Sequence, residues 1–70
     1  MTTVKIITVL GTSTESWDNA AEQAVKEASE TVDHIRGVEV EDQTATIEGG
    51  TIQEYKATVE VAFPVDEGER

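Results

Sequence analysis

Two long strand-like segments flank a glycine turn in the second half of the chain, and they set the main limit on its fold. Residues 35–47 and 52–65 carry alternating apolar and polar side chains, which is the period of a half-buried β-strand. Glu48-Gly49-Gly50 between them predicts a hairpin turn. Segments of about 13 residues are longer than the usual strand of five or six. We therefore expect surplus sheet surface that must curl around a helix, meet another subunit, or both.

A single amphipathic helix is predicted over residues 17–32. Its apolar positions recur at helical spacing and are mostly alanine, namely Trp17, Ala20, Ala21, Ala24, Val25, Ala28 and Val32. Such small side chains allow a close approach to the helix backbone, so we expect the sheet to pack directly on this stripe.

Ahead of the helix, residues 4–10 form a β-branched segment that predicts a first strand. Its two faces are both apolar, with Val4, Ile6 and Leu10 on one and Ile7 and Val9 on the other. Residues 11–16 are rich in helix-capping residues and predict a turn. The order strand-helix-strand-strand predicts an α+β fold in one domain, residues 1–65, followed by a polar tail, residues 66–70.

A chain of 70 residues needs more stabilisation than its own small core supplies. It has no Cys, which excludes disulfides and thiolate zinc sites, and its single His excludes a histidine-rich metal site. Oligomerisation is the stabilising device that is left. We therefore expect a building block of a closed symmetric oligomer.

The charge balance excludes several partners, because 15 acidic residues stand against 5 basic ones and the net charge is −10. Phosphates would be repelled, so we expect no nucleic acid and no anionic membrane as a partner. The favoured interpretation of the acidity is a solubility device for a salt-rich cytoplasm, and cation binding is the alternative. The sequence has no apolar segment of membrane-spanning length and no basic, then apolar, start, so we expect a cytoplasmic protein without a signal peptide.

No catalytic constellation is apparent. Nucleophilic catalysis needs a nucleophile with a base beside it, whereas the serines lie at the predicted helix start or on its surface, and His34 suits the helix end. Trp17 is expected to be a core or subunit contact, with ligand stacking as the alternative. We expect Gly11-Thr12-Ser13 to cap the helix rather than to bind an anion. The chain is predicted not to be an enzyme.

Acidic residues are concentrated at Glu39, Glu41 and Asp42, and occur again at Glu48. Oxygen ligands suit calcium or magnesium, although the spacing of a helix-loop-helix calcium site is missing. Carboxylates that converge at a symmetry axis of an oligomer are therefore preferred to a metal site within one chain.

A combination of short motifs, in order along nearly the whole chain, resembles the dodecins. These motifs are Gly11-Thr12-Ser13, Ser16-Trp17, Ala20-Ala21, Ala24, Thr31-Val32-Asp33, Glu39-Val40, Asp42-Gln43, Tyr55 and Val59-Glu60-Val61-Ala62-Phe63. The resemblance implies a three-stranded antiparallel sheet wrapped around one helix, and twelve such subunits in a hollow particle, a homododecamer. It also implies flavin storage, with riboflavin, lumichrome or FMN held between subunits by a Trp and a Gln.

This sequence departs from the flavin-binding dodecins at both of those positions, which fall on Gly37 and Lys56. The usual flavin site is therefore predicted to be lost, and we expect non-catalytic binding or storage of ions or small solutes. Flavin storage in a different pocket is the alternative. By position in the family, Asp42 is the main candidate ligand for calcium or magnesium, and Glu15 is the weaker one.

Overall fold

The computed structural model describes residues 2–66. It contains β1 (Thr2–Ser13), α1 (Trp17–Ala28), β2 (Gly37–Glu48) and β3 (Thr51–Asp66). The strands form one antiparallel sheet in the order β1-β3-β2. The predicted α+β class and the β-α-β-β order are confirmed. Asp66, the first residue of the predicted tail, belongs to β3, and residues 67–70 lie outside the described residues.

The hairpin between β2 and β3 turns on Gly49 and Gly50. Glu48 pairs with Thr51, so the two glycines form a two-residue loop. Their φ angles are 59° and 77°, and two positive values are what a type I′ hairpin turn requires. The predicted turn is therefore confirmed, and its glycines are explained by their backbone conformation.

The first strand is longer than predicted, and the prediction of a turn from Gly11 onwards was wrong. Gly11, Thr12 and Ser13 continue β1 by pairing with residues 55–57 of β3. The long β3 offers backbone partners that a local pattern does not reveal. A cap within residues 11–16 is confirmed, because Ser16 Oγ accepts a hydrogen bond of 3.0 Å from the Asn19 N–H. Capping by Gly11-Thr12-Ser13 was wrong, because these residues lie in β1, and Ser13 Oγ accepts its bond of 2.9 Å from the Glu15 N–H ahead of the helix.

The helix begins at Trp17 as predicted but ends at Ala28, before the predicted end at Val32. Two hydroxyl groups bond back to helix carbonyls at this end. Ser29 Oγ donates to the Lys26 carbonyl at 2.8 Å, and Thr31 Oγ1 donates to the Ala28 carbonyl at 3.3 Å. Such side chains compete with the hydrogen bonds of the helical backbone. The helix therefore ends at Ala28 although apolar residues at helical spacing continue to Val32.

The core lies between α1 and the centre of β3. The predicted alanine stripe is buried there, and it packs against small or β-branched side chains of the sheet: the cluster comprises Ala20, Ala24, Ala28, Ala57, Val59 and Val61. Ile7 and Val9 border this core from β1, as the predicted strand faces require. Gly11 is buried against the helix, and a Cβ at this position would lie 2.8 Å from Ala24 Cβ.

A large part of the sheet is not covered by any other part of residues 2–66. The helix packs mainly on β1 and β3, so Val38 and Val40 on β2 are 48% and 46% exposed. The radius of gyration is 14.6 Å, whereas a compact domain of this length has about 11 Å. Among the described residues, no helix is long and apolar enough to cross a membrane.

Candidate functional site

Three glutamates converge on the outer face of the sheet, the face that points away from α1. Glu60 alternates with the buried Val59 and Val61, so its side chain is directed to the outer face. Glu39 on β2 is its direct cross-strand partner. Glu41 lies at a register shift between Val40 and Asp42, where the pairing of β2 with β3 is interrupted.

One carboxylate oxygen from each of Glu39, Glu41 and Glu60, here called the three-glutamate cluster, lies within 4.8 Å of the others. Glu39 and Glu41 are exposed and Glu60 is half-buried. Like charges directly across a strand pair destabilise a sheet. Oxygen ligands at this spacing suit a hard divalent cation such as calcium or magnesium, and such a cation would remove the repulsion.

The mutual repulsion of the carboxylates in the cluster raises the pKa of Glu41. The neighbouring Glu60 carboxylate makes the largest contribution and raises the pKa of Glu41 above its ordinary value of 4.5. Partial desolvation, the charge of Glu39, a hydrogen bond with Glu60 and the charge of Asp42 raise it further, in decreasing order. Glu41 therefore holds a proton more readily than an isolated glutamate does.

A cavity of about 190 Å³ lies beside the cluster on the outer face, lined by Ile6, Gly37, Val38, Glu39, Glu60 and Ala62. A Cβ built on Gly37 would meet nothing within 4 Å, so this position opens onto free space. Sites for small molecules usually enclose about 300–1,000 Å³. One chain therefore supplies a partial pocket, with carboxylates on its wall and no aromatic ring in its lining.

The two positions that hold flavin in the flavin-binding relatives of this resemblance, Gly37 and Lys56 here, do not come together within one chain. Gly37 pairs with Ala62 and Lys56 pairs with Thr44, so the two pairs lie six positions apart on β3, which is about 20 Å along a strand. A ligand much shorter than about 20 Å therefore cannot touch both positions of one chain.

Trp17 connects the start of α1 to the end of the sheet that is remote from the Gly37 cavity. Its indole Nε1–H donates a hydrogen bond of 2.8 Å to the Thr44 carbonyl, and its ring meets Tyr55 edge-on, with centroids 4.8 Å apart. Thr44 is about 23 Å along β2 from Gly37. Trp17 makes these contacts within the chain and does not line the Gly37 cavity.

The predicted metal ligands fall at different distances from the three-glutamate cluster. Asp42 is its neighbour, since it acts on the pKa of Glu41. Glu15 lies beyond Ser13, at the end where β1 pairs with Tyr55, and does not belong to the cluster. Both remain predictions. Sequence reasoning noted Glu39 and Glu41 but missed Glu60, because only the cross-strand register places Glu60 opposite Glu39.

Comparisons with known proteins match nearly the whole chain. A sequence profile of the dodecin family matches residues 3–66. The calcium dodecin of Mycobacterium tuberculosis is 36% identical over 63 residues, which cover 90% of this chain and 89% of the relative.

Solved structures of the same family superpose on nearly the whole chain. The dodecin of Streptomyces coelicolor matches with a TM-score of 0.91 and 28% identity, over 96% of each chain. A calcium-chelating antigen of M. tuberculosis, a calcium dodecin described with a novel calcium-binding site, matches with a TM-score of 0.80 and 35% identity, over 97% of each chain.

Proposed function

Because this chain belongs to the dodecin family, we propose that it is a subunit of a hollow homododecamer that binds and stores divalent cations, calcium above all, in place of flavin. The observation that carries the proposal is the pocket at Gly37, which has two carboxylates of the three-glutamate cluster on its wall and no aromatic ring. Dodecins are binding and storage proteins, and we assign this chain the same non-catalytic role.

The cation part of the proposal rests on charge and ligand chemistry. Calcium takes six to eight oxygen ligands, and the cluster supplies up to six carboxylate oxygens before Asp42 or a second subunit is counted. The relative with 36% identity is a calcium dodecin. Because no described part of the chain covers the face that carries the cluster, a symmetry-related copy could complete its coordination.

The loss of the usual flavin contact follows from residue chemistry. Gly37 offers no π surface, and an aromatic pair contributes about 0.5–1.5 kcal/mol beyond the area it buries. Lys56 only donates hydrogen bonds, whereas the amide of a Gln both donates and accepts. In addition, Glu39 and Glu60 place negative charge beside the position where an uncharged ring would stack.

Calorimetric titration of calcium and of magnesium into the assembled protein tests the cation part. We expect binding that the double substitution Glu41→Gln/Glu60→Gln weakens at least about tenfold, since it removes two charged ligands. Asp42→Asn should weaken binding less. Glu27→Gln, which removes an exposed carboxylate of α1 far from the cluster, is the matched control. Equal affinities for the double variant and this control would contradict the site.

Titration of riboflavin or lumichrome, followed by quenching of flavin fluorescence, tests the flavin part. We expect no stoichiometric retention by the wild-type protein, and retention would establish flavin storage instead. Gly37→Trp should increase flavin affinity, because the space beside Gly37 is open. If the flavin affinity of that variant does not increase, the missing aromatic side chain is not the sole reason why the pocket fails to bind flavin.

A further inference from the structure

The cavity at Gly37 combines an apolar wall with two carboxylates. The apolar wall comes from β1 and β2 as well as β3, and two of its side chains, Ile6 and Val38, are 59% and 48% exposed. The carboxylates are those of Glu39 and Glu60, and among the described residues of the lining none is basic. Within one chain, the cavity therefore offers uncovered apolar surface and two negative charges without a cationic partner in its wall.

A metal ion at the three-glutamate cluster would use only part of this cavity. Calcium and magnesium bind oxygen ligands and often retain water, so neither ion covers the side chains of Ile6 and Val38. Removal of apolar surface from water is favourable in proportion to the area that is covered. A ligand that carries both a positive charge and an apolar body would therefore match both parts of the lining.

The dimensions of the cavity limit the size of such a ligand. Its volume is about 190 Å³, and a protein cavity of about 150 Å³ can hold one benzene ring. One carboxylate oxygen of Glu39 and one of Glu60 lie within 4.8 Å of each other. An ammonium nitrogen that donates two hydrogen bonds of about 2.8 Å at a tetrahedral angle holds its acceptors about 4.6 Å apart. A single ammonium group can therefore bridge the two carboxylates.

We propose that this cavity binds a small organic cation, a primary ammonium group on a compact apolar body about the size of a benzene ring. The ammonium group donates hydrogen bonds to Glu39 and Glu60, which also relieves the repulsion between these cross-strand partners. The body covers the apolar wall. The inference deepens the proposed function and rests on it in one respect: calcium and the organic cation share two carboxylates, so each should displace the other.

Three probes, added to the assembled protein, separate the contribution of the charge from that of the apolar body. Benzylammonium carries both, methylammonium carries only the charge, and benzyl alcohol carries only the ring. Ligand-observed NMR titrations should give benzylammonium an affinity at least about tenfold higher than that of either other probe, because only benzylammonium matches both parts of the lining. Equal affinities for benzylammonium and methylammonium, or for benzylammonium and benzyl alcohol, would overturn the inference.

Substitutions in the lining test where the probe binds. Glu39→Gln should weaken benzylammonium binding at least about tenfold, because it removes one of two charged acceptors. Gly37→Ala and Gly37→Leu add increasing volume where a Cβ meets nothing within 4 Å, and the loss of affinity should grow in that order. Glu27→Gln, on the exposed side of α1, is the matched control. Affinity for benzylammonium that is the same in wild type, Glu39→Gln and Gly37→Leu would place the probe elsewhere and contradict the site.

Competition with calcium separates this inference from the proposed function. Calcium should displace benzylammonium, and Glu41→Gln should lower calcium affinity more than benzylammonium affinity, since Glu41 belongs to the cluster but not to the lining. Calcium binding with no preference for benzylammonium over methylammonium overturns the organic-cation site and leaves the calcium site standing. Benzylammonium binding without calcium binding does the reverse. Binding of both without mutual displacement shows that they do not share Glu39 and Glu60, and overturns the inference.

Discussion

Gly11 lies where β1 passes directly beneath α1, and the helix leaves no room for a side chain there. A Cβ would contact the Ala20 carbonyl oxygen and would lie 2.9 Å from the Ala24 nitrogen. Gly11→Ala should therefore lower the free energy of unfolding by about 1–3 kcal/mol or more, since backbone atoms cannot move aside cheaply. Urea denaturation at fixed protein concentration measures this. Gly37→Ala, which meets nothing within 4 Å, is the matched control, and equal losses in both would contradict the packing argument.

Glu41 makes the stability of the chain depend on pH in an unusual direction for a carboxylate. Its pKa is raised in the folded state, chiefly by Glu60, so the folded chain binds this proton more tightly than the unfolded chain does. The contribution of Glu41 to stability is therefore greatest below about pH 4.5 and is lost as pH rises through the raised pKa of this carboxyl.

The substitution Glu41→Gln should accordingly raise the melting temperature at pH 7 and low salt, and its benefit should shrink as pH falls toward 4.5. Thermal melts of wild type and variant at both pH values measure the difference. Glu27→Gln serves as the control because it lies outside the cluster. Calcium should stabilise the wild type and so reduce the difference in melting temperature between it and Glu41→Gln. An increase in melting temperature that is independent of pH would contradict the repulsion between Glu41 and Glu60.

The helix depends on its N-terminal cap more than longer helices do, because it has only 12 residues and buries only alanines. Ser16 Oγ accepts the Asn19 N–H, one of the amide groups that lack a partner within the helix. Ser16→Ala should cost about 1 kcal/mol of stability. Ser29→Ala removes an exposed hydroxyl at the other end and should cost much less, so equal losses by chemical denaturation would count against the cap.

The hairpin of β2 and β3 provides more sheet surface than one helix covers, and the proposed binding site lies on this surplus surface. The outer face carries the three-glutamate cluster and the Gly37 cavity, while the face toward α1 leaves Val38 and Val40 about half exposed. Both are incomplete within one chain. An element that is too long for its own domain thus provides the surfaces through which copies could associate.

The assembly as a whole should depend strongly on salt. A particle of twelve chains would carry twelve times the net charge of −10, and the Debye length grows from about 8 Å at 0.15 M to about 30 Å at 0.01 M ionic strength. We expect sedimentation velocity to show dissociation as salt is lowered, and calcium to reverse it at concentrations too small to alter the ionic strength. An assembly that is indifferent to salt would show that its charges are neutralised in another way.

Local patterns along the chain were sufficient for the order of the elements, the start of the helix at Trp17, its alanine stripe and the Gly49-Gly50 turn. Each of these depends on residues within about one turn or one strand of each other, where side-chain period and backbone preference act directly. The extension of β1 to Ser13 and the end of α1 at Ala28 were not predictable in this way, because a partner strand and hydroxyl bonds to the backbone decided them.

The candidate site shows the same division. The acidity and the absence of an aromatic residue at Gly37 are visible in the sequence, and Glu39 and Glu41 stand out as neighbours there. Glu60 is 19 residues beyond Glu41, and only the antiparallel register and the bulge at Glu41 bring the three carboxylates within 4.8 Å. Register is set by the burial of Val59 and Val61 beneath the helix, since a slip of one residue would turn these side chains outward and Glu60 inward.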